Sequence, residues 1–240
     1  MKFLGVDISS RSTGLGLIED DKLLEYTKIN PTGTMCTAAK LNLFFVELEN
    51  FIQKHQPDHI AIEDVVQVSS VSVTKILARF NGIGLMCAYR YNKQDPKLFI
   101  PSEWKKIVGL GAVRKCETQL FVCKKYKLLT PEQIKVYEEK IENVEIVNKN
   151  NLEDLKNNLL VLKKDYSKKK NKTPEQLEKI KENIDILNEE LSKIKKSSKS
   201  IMEKSYEDLS MDLYVDTGIN EDIADAIGVA LACKSINEKR

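Results

Sequence analysis

The sequence predicts an α/β fold, in which a mixed sheet is flanked by helices and a long antiparallel coiled-coil hairpin is inserted before the last helix. Three short apolar segments follow one another closely at the N-terminus, which is typical of strands joined by hairpins. Helical and strand patterns then alternate, which favours parallel strands with helices on the faces of the sheet. A highly charged stretch with seven-residue apolar spacing interrupts this order and predicts the inserted hairpin.

The elements of the α/β part follow from apolar periodicity and its breakers. Strands are predicted at 2–8, 12–18, 22–28, 59–62 and 98–101, and helices at 38–54, 72–91, 113–126 and 222–234. Residues 1–126 plus 209–240 are therefore predicted to form one domain, which is split by the helical hairpin at 127–208.

The inserted segment contains 18 Lys, 17 Asp and Glu and no Gly. Each of its two prolines follows a threonine and precedes Glu-Gln, at Thr130-Pro131 and Thr173-Pro174. A threonine N-cap, a proline at the first helical position and an acid in the first turn are signals for the start of a helix. Apolar residues at coiled-coil spacing follow, so two helices of similar length are predicted to pair; after Pro174 these residues are Leu177, Ile180, Ile184, Leu187, Leu191, Ile194 and Ile201.

The predicted turn of the hairpin is rich in lysine, with Lys168, Lys169 and Lys170 in direct succession. One interpretation is an inert insertion, because a lysine-rich turn is also what a solvated loop looks like. The other is a clamp that contacts DNA or a protein partner through this tip. The sequence leaves both interpretations open.

Composition limits the classes of function. The 240 residues are 42% hydrophobic and 31% charged, with a formal net charge of +2, so no global field indicates a nucleic-acid partner. No apolar run approaches the length of a membrane span, and the N-terminus opens into a strand pattern, so no membrane association is predicted. The five cysteines include no Cys-x-x-Cys pair, which favours free thiols in a reducing compartment and a cytoplasmic location.

Acidic residues occur where a buried core would normally reject them. Asp7 ends the first apolar strand, Glu63 ends the fourth, and Asp222 and Asp225 share one face at the start of an otherwise apolar helix. Carboxylates gathered in this way repel one another unless cations neutralise them. Two Mg²⁺ ions would do so, and such a pair supports phosphodiester hydrolysis. Taken singly, Asp7 is also compatible with a strand-end acid and Asp222 with an N-cap.

Four motifs resemble RuvC-type Holliday junction resolvases of the RNase H-like superfamily, in the same order along the chain. The first is GVDISSRSTGLGLI from Gly5 to Ile18, and the second is the acidic strand Ala61-Ile62-Glu63. The third is PSEWKKIVGLGAVRK from Pro101 to Lys115, and the last is the helix start Asp222-Ile223-Ala224-Asp225-Ala226. The resemblance covers nearly the whole predicted α/β domain and none of the hairpin.

The resemblance implies an RNase H-like fold, a homodimer, and paired, metal-dependent nicking of four-way DNA junctions. It implies two Mg²⁺ ions, with Mn²⁺ as a substitute, and branched DNA rather than a small molecule as substrate. The residues it identifies as metal-binding and catalytic acids are Asp7, Glu63, Asp222 and Asp225, with Lys115 as a catalytic lysine. The residues predicted to contact DNA are Arg11, Lys105, Lys106, Arg114, Lys115, Lys168, Lys169 and Lys170.

The chain departs from the family pattern in two ways. Bacterial members carry an aromatic wedge shortly after the second acid, where this chain has Val65 and Val66, so junction base pairs are predicted to be opened more weakly or elsewhere. The hairpin is absent from the cellular pattern, which favours a phage or other divergent branch acting in a bacterial or phage-infected cell. Trp104 is predicted to pack beneath the glycine-rich segment that follows it, with stacking on a DNA base as the alternative.

Three alternatives belong to other functional classes. An RNase H-like nuclease could act on other branched DNA or on RNA–DNA hybrids, because the chemistry of a site does not fix the shape of its substrate. A catalytically silent DNA-binding scaffold would have no use for a repulsive cluster of four acids. An actin-like ATPase shares a similar strand–turn–strand opening but needs a second phosphate loop, and the sequence contains no such repeat.

Overall fold

The computed structural model describes residues 1–66, 70–167 and 173–239. Within these residues the chain forms five strands and seven helices. The strands are β1 (Lys2–Asp7), β2 (Thr13–Glu19), β3 (Lys22–Ile29), β4 (His59–Glu63) and β5 (Lys97–Phe99). The helices are α1 (Thr37–His55), α2 (Val71–Asn92), α3 (Pro101–Ile107), α4 (Lys115–Lys125), α5 (Pro131–Ser167), α6 (Pro174–Thr217) and α7 (Glu221–Asn237).

The strands form one mixed sheet in the order β3-β2-β1-β4-β5. The first three strands are antiparallel neighbours, whereas β1 pairs in parallel with β4, and β4 with β5. The predicted mixed sheet with flanking helices is therefore confirmed. Because β1 is central and parallel to β4, the carboxyl ends of these two strands lie at the same edge of the sheet.

Each face of the sheet is covered by its own apolar cluster. Side chains alternate along β1, so Phe3 contributes to the cluster with α7, whereas Leu4 and Val6 contribute to the cluster with α1 and α2. The alternation gives the sheet two buried faces, which explains why β1 and β4 read as nearly continuous apolar runs.

Helix α7 lies directly on the sheet because glycines leave room for its backbone. A Cβ atom on Gly5 of β1 would overlap the carbonyl oxygen of Ala226, and one on Gly14 of β2 would overlap the carbonyl oxygen of Asp222. The glycines of the first motif therefore allow the close approach that places the start of α7 beside the end of β1.

The segment after β5 differs from the sequence prediction. Pro101 was predicted to end a strand, but it is the first residue of α3, and the strand ends at Phe99. Proline suits the first position of a helix, and the side chain of Glu103 accepts a hydrogen bond from the backbone N–H of Ile100 at 3.2 Å, which stabilises that helix start. The predicted strand end at Pro101 is therefore wrong, and the sequence prediction lacked helix α3.

Helix α2 bears on the predicted absence of membrane-spanning segments. By length and composition it is apolar enough to cross a membrane, and 28% of its most apolar 18-residue stretch is buried inside the chain. The prediction that no segment approaches such a length is wrong. One face of α2 packs against the sheet through Phe80, Gly84 and Cys87, so its outward apolar face is the part that requires an explanation.

The chain divides into two compact units, residues 1–130 with 210–240, and residues 131–209. In the second unit, α5 begins at Pro131 and α6 at Pro174, as the sequence predicts. The hydroxyl of Thr173 accepts a hydrogen bond from the N–H of Gln176, whose side chain accepts one from the N–H of Thr173. Helix α6 continues past Asp208 to Thr217, so its last residues, from Ser210, belong to the first unit.

Candidate active site

Asp7 and Glu63 lie side by side at one edge of the sheet. Val6 of β1 is in register with Ile62 of the parallel strand β4, and the next residue on each strand is the acid. Both acids are half-buried. The register places two carboxylates at neighbouring strand ends, as predicted from the acids that close both apolar runs.

The start of α7 adds Asp222 and Asp225 to this edge. The side chain of Asn220 caps the helix by accepting a hydrogen bond from the N–H of Ile223 at 2.9 Å. The same side chain donates to Asp222 at 3.3 Å, which orients that carboxylate. The interpretation of Asp222 as the N-cap is therefore wrong, and the cap two residues earlier, at Asn220, leaves Asp222 available to the cluster.

The four carboxylates behave as one electrostatic group. Burial, followed by the charges of Glu63, Asp225 and Asp222, raises the pKa of Asp7 well above its ordinary value. Burial also raises the pKa of Glu63 and of Asp222, and raises that of Asp225 to about 7. Four acids that resist ionisation together lower the stability of the fold at neutral pH unless cations bind among them.

The donor set fits hard divalent cations. The Oδ1 atom of Asp225 is buried without a hydrogen-bond partner, which is costly for a carboxylate oxygen unless a cation binds it. The hydroxyl of Ser12 is buried without a well-formed hydrogen bond, yet it lies close enough to lower the pKa of Asp222. Among the described residues, no three acidic, histidine or cysteine side chains converge into a ready-made cage, so cations would have to draw these repelling carboxylates together.

Two predicted lysines bring positive charge to the same edge. The charges of Lys105 and Lys115 both lower the pKa of Glu63 and of Asp225. Lys115, the first residue of α4, forms an ion pair with Glu221 at 2.7 Å. Burial lowers the pKa of Lys115, but its hydrogen bond to Glu221 and the surrounding acids outweigh this and raise it.

The other predicted DNA-contacting residues are distributed around this edge or lie elsewhere in the chain. Arg11 is exposed in the loop between β1 and β2, Lys106 is exposed at the end of α3, and Arg114 immediately precedes α4. The lysines predicted at the hairpin tip, Lys168, Lys169 and Lys170, lie outside the described residues.

Sequence reasoning missed the role of Trp104. Its side chain is completely buried and packs on Gly228 of α7, in an apolar cluster to which Val108 and Leu110 of the glycine-rich segment also contribute. Its indole N–H donates a hydrogen bond to Oε2 of Glu63 at 2.7 Å. No local signal identifies this contact, because α3 itself was not predicted and the two residues are far apart in sequence.

The region after the second acid carries no aromatic side chain among residues 64–66. Asp64 accepts hydrogen bonds from the N–H of Val65 at 2.8 Å and from the amide of Asn81 at 3.4 Å. Val66 is exposed. In place of the family's aromatic wedge, this chain therefore has small apolar side chains, Val65 and Val66, beside the acids.

Comparison with known proteins identifies the family. The family model "Crossover junction endodeoxyribonuclease RuvC" matches residues 3–138, which is more than half of the chain. This chain belongs to the RuvC family. The resemblance stated from the sequence motifs is confirmed. The predicted hydrolase activity is confirmed with it, because members of this family are crossover junction endodeoxyribonucleases, which bind DNA and depend on metal ions.

Individual RuvC proteins match over about half of the chain. The RuvC of Alkaliphilus oremlandii is 28% identical over 127 residues, covering 51% of this chain and 77% of that protein. The RuvC of Koribacter versatilis is 29% identical over 133 residues, covering 52% and 78% respectively. A solved structure, "T. thermophilus RuvC in complex with Holliday junction substrate", has a TM-score of 0.49 at 17% identity, covering 54% of this chain and 82% of that one.

The RuvC family match covers only part of the acidic cluster. It includes Asp7, Glu63, Lys105 and Lys115 but ends at residue 138, before α5 is complete. Helix α7, which carries Asp222 and Asp225, lies beyond it. The grouping of these two acids with the first two is therefore a result of the fold, through the packing of α7 on β1 and β2.

Proposed function

We propose that this RuvC-family chain resolves four-way DNA junctions by hydrolysing one phosphodiester bond in each of two opposed strands. We propose further that two Mg²⁺ ions, for which Mn²⁺ can substitute, are held by Asp7, Glu63, Asp222 and Asp225. The observation that carries this proposal is that the pairing of β1 with β4 and the packing of α7 bring four carboxylates to one edge of the sheet. Burial raises the pKa of each of them there.

The residues around the cluster suit this chemistry. A bound pair of divalent cations supplies an activated water and stabilises charge on the leaving oxygen. The carboxylates hold these cations, and Asn220 orients Asp222 through its hydrogen bond. Lys115 and Lys105 place positive charge where a phosphate would approach the acids, which favours binding and stabilises the negative charge of the transition state.

DNA is the substrate class that the surrounding charge supports. Arg11, Lys106 and Arg114, together with both lysines of the site, surround an acidic centre with cations that phosphates can contact. A small-molecule substrate is not proposed. We place the protein in the cytoplasm of a bacterial or phage-infected cell, where branched DNA arises.

We propose that α2 forms the seam of a homodimer. Its outward face carries a stripe of Ala78, Gly82, Met86 and Tyr89, and a side chain on Gly82 would meet nothing within 4 Å. Met86 and Tyr89 are 44% and 53% exposed. Small residues allow two helices to approach closely, and an approximately two-fold symmetric junction calls for two symmetric active sites. A second copy therefore accounts for this apolar face without a membrane.

We propose that residues 1–126 plus 209–240 are the nuclease domain and that residues 127–208 form an antiparallel coiled-coil hairpin. The separation into units near Thr130 and Ser210 supports this division. Tyr137 of α5 and Leu191 of α6 are buried although both helices are rich in charge, which favours mutual packing of their apolar seams. We propose that the lysines predicted at the tip, Lys168, Lys169 and Lys170, contact DNA.

The second candidate function is cleavage of other branched DNA or of RNA–DNA hybrids. The observation that favours it is Val65 and Val66 in place of an aromatic wedge, because small side chains are poorer at separating base pairs. A silent scaffold is disfavoured, since four mutually repelling acids would destabilise such a protein without benefit.

A nicking assay separates these functions. The chain would be mixed with a four-way junction, a fork, a flap, an RNA–DNA hybrid and a linear duplex of matched sequence, with Mg²⁺ or with EDTA. We expect symmetric nicks in the junction, dependent on Mg²⁺, and little cleavage of the duplex. Preferential cleavage of the hybrid or the flap would assign the second function, and cleavage in EDTA would exclude the metal-dependent mechanism.

A further inference from the structure

We propose that Trp104 is a positioning residue that sets the orientation of Glu63 and couples it to helix α7. The inference rests on the proposed function, because it assumes that Glu63 holds a metal ion. Three contacts carry it: a hydrogen bond to Glu63, close packing on Gly228, and proximity to Lys105.

The hydrogen bond fixes one oxygen of the carboxylate. The indole Nε1–H donates to Oε2 of Glu63 at 2.7 Å, a short distance for a charge-assisted bond. Trp104 is 0% exposed, so its indole N–H cannot donate to bulk water and Glu63 is its acceptor. The other carboxylate oxygen of Glu63 remains available as a ligand for a cation. The hydrogen bond at Oε2 constrains the plane of the carboxylate.

The packing of the ring fixes the donor itself. A Cβ atom on Gly228 would overlap the six-membered ring of Trp104, so the indole is pressed against the backbone of α7. Gly228 lies three residues after Asp225 on the same helix. One rigid side chain therefore touches both the strand-end acid and the helix that carries another acid, and it sets how far apart these two elements stand.

The same ring also faces one of the lysines of the site. The ammonium of Lys105 lies 5.2 Å from the centre of the Trp104 ring, within the range of a cation–π interaction. Trp104 is thus positioned to orient a cation for the phosphate as well as an acid for the metal.

Packing alone does not explain these contacts. A purely apolar side chain would fill the space between α3 and α7 without requiring an acceptor, whereas a buried indole N–H must find one. Here the acceptor is a carboxylate of the proposed metal site. Partners that orient metal ligands typically contribute about 10–100-fold to metal affinity or activity.

The first test replaces the N–H while keeping the shape of the side chain. Trp104 would be replaced by benzothienylalanine, in which sulfur takes the place of the N–H, and separately by phenylalanine. Mn²⁺ binding to the full chain would be measured by calorimetry without DNA, alongside thermal melting. We expect the benzothienyl variant to melt close to the wild type and to bind Mn²⁺ about 10–100-fold more weakly, with cleavage largely restored at saturating metal.

A matched control separates orientation from loss of packing. Phe3→Leu removes part of another buried aromatic side chain in the same apolar cluster, at the opposite end of β1 from Asp7. It should lower the melting temperature and leave Mn²⁺ affinity unchanged. If the benzothienyl variant binds Mn²⁺ as tightly as the wild type, Trp104 is a packing residue only and the inference is wrong.

A second, spectroscopic measurement uses the wild-type chain. Trp104 is its single tryptophan, so fluorescence excited selectively at tryptophan reports on the surroundings of this side chain. Adding Mg²⁺ should change the emission, and Glu63→Gln should weaken that change. If the emission spectrum does not change at Mg²⁺ concentrations that support cleavage, the inference is wrong. If Glu63→Gln itself binds Mn²⁺ and cleaves like the wild type, the proposed function fails instead.

Discussion

The ammonium of Lys115 lies 2.7 Å from Oε1 of Glu221, the residue immediately before Asp222. The pair joins the first residue of α4 to the first residue of α7. Both side chains are partly exposed, at 61% and 36%, so the pair contributes little to stability. The pair holds the ammonium of Lys115 beside the acidic cluster, where we propose that it contacts a phosphate.

Lys115→Ala should slow the chemical step without releasing DNA. A well-placed donor that stabilises transition-state charge is worth about 10²–10³-fold in rate. Single-turnover cleavage of a pre-bound junction measures this effect, and Lys106→Ala serves as a comparison on the exposed end of α3. Lys106→Ala should weaken binding and reduce its salt dependence instead. Weaker binding by Lys115→Ala with an unchanged cleavage rate would make Lys115 a backbone contact.

The metal-free protein should become less stable as pH rises from about 4 to about 7. The pKa of Asp225 is raised from 3.8 to about 7 by burial, so the folded state binds this proton more tightly than the unfolded state. The bound proton therefore stabilises the folded state fully at pH values below the pKa of Asp225 in the unfolded chain. This stabilisation is lost as the pH rises through the pKa of Asp225 in the folded chain.

Asp225→Asn should therefore stabilise the metal-free protein at pH 8, by on the order of 2–4 kcal/mol, and change it little at pH 4. Chemical denaturation in EDTA at both values measures this difference. The exposed residue Asp95 provides the control, since Asp95→Asn should have no such effect. A destabilising Asp225→Asn at pH 8 would show that the carboxylate is held by favourable partners, contrary to the proposed cluster.

Charges introduced on the outer face of α2 should abolish dimer formation. Met86→Glu combined with Tyr89→Glu places repelling carboxylates across the proposed seam, and sedimentation velocity reports the mass. The resulting monomer should lose paired nicking, because one site cannot reach both opposed strands. Val215→Glu, at a 75% exposed position on α6, should leave the mass unchanged. A wild-type chain that resolves junctions as a monomer would contradict the seam.

The hairpin should be separable from catalysis. Replacing residues 131–209 by a short Gly/Ser linker should leave a folded protein that nicks in Mg²⁺ but binds junctions more weakly or with greater salt sensitivity. A tip variant should reproduce part of that loss; in it, Gln replaces the four lysines Lys168, Lys169, Lys170 and Lys172. If the tip variant binds junctions normally but the deletion variant no longer dimerises, the hairpin is an assembly arm. If the deletion changes neither junction binding nor dimerisation, the hairpin is an inert insertion.

The parts of the site that the sequence predicts are those written into local patterns. Asp7 and Glu63 each end an apolar strand, and parallel pairing of β1 with β4 then brings them together. Asp222 and Asp225 are recognisable because carboxylates are out of place on an apolar helix. Gly5 of β1 and Gly14 of β2 both belong to the first motif. The structure shows why glycine is required there, because the backbone of α7 lies too close for a side chain.

The parts that the sequence does not predict depend on contacts across the fold. Trp104 is separated by 41 residues from Glu63, and no periodicity connects a tryptophan on one element with a carboxylate on another. The ion pair of Lys115 with Glu221 likewise exists only once α4 and α7 are packed side by side. Pro101 carried a local signal for a helix start, which the preceding apolar residues obscured.

The most direct measurement is junction cleavage and junction binding by four variants that remove one negative charge each: Asp7→Asn, Glu63→Gln, Asp222→Asn and Asp225→Asn. Since losing a partner of a metal ligand already costs about 10–100-fold, losing a ligand should cost at least about 100-fold in the single-turnover rate with Mg²⁺. Binding should persist, because it depends on phosphate contacts, and Asp95→Asn should cleave like the wild type. Two or more of the four variants cleaving at the wild-type rate would contradict the proposed metal site.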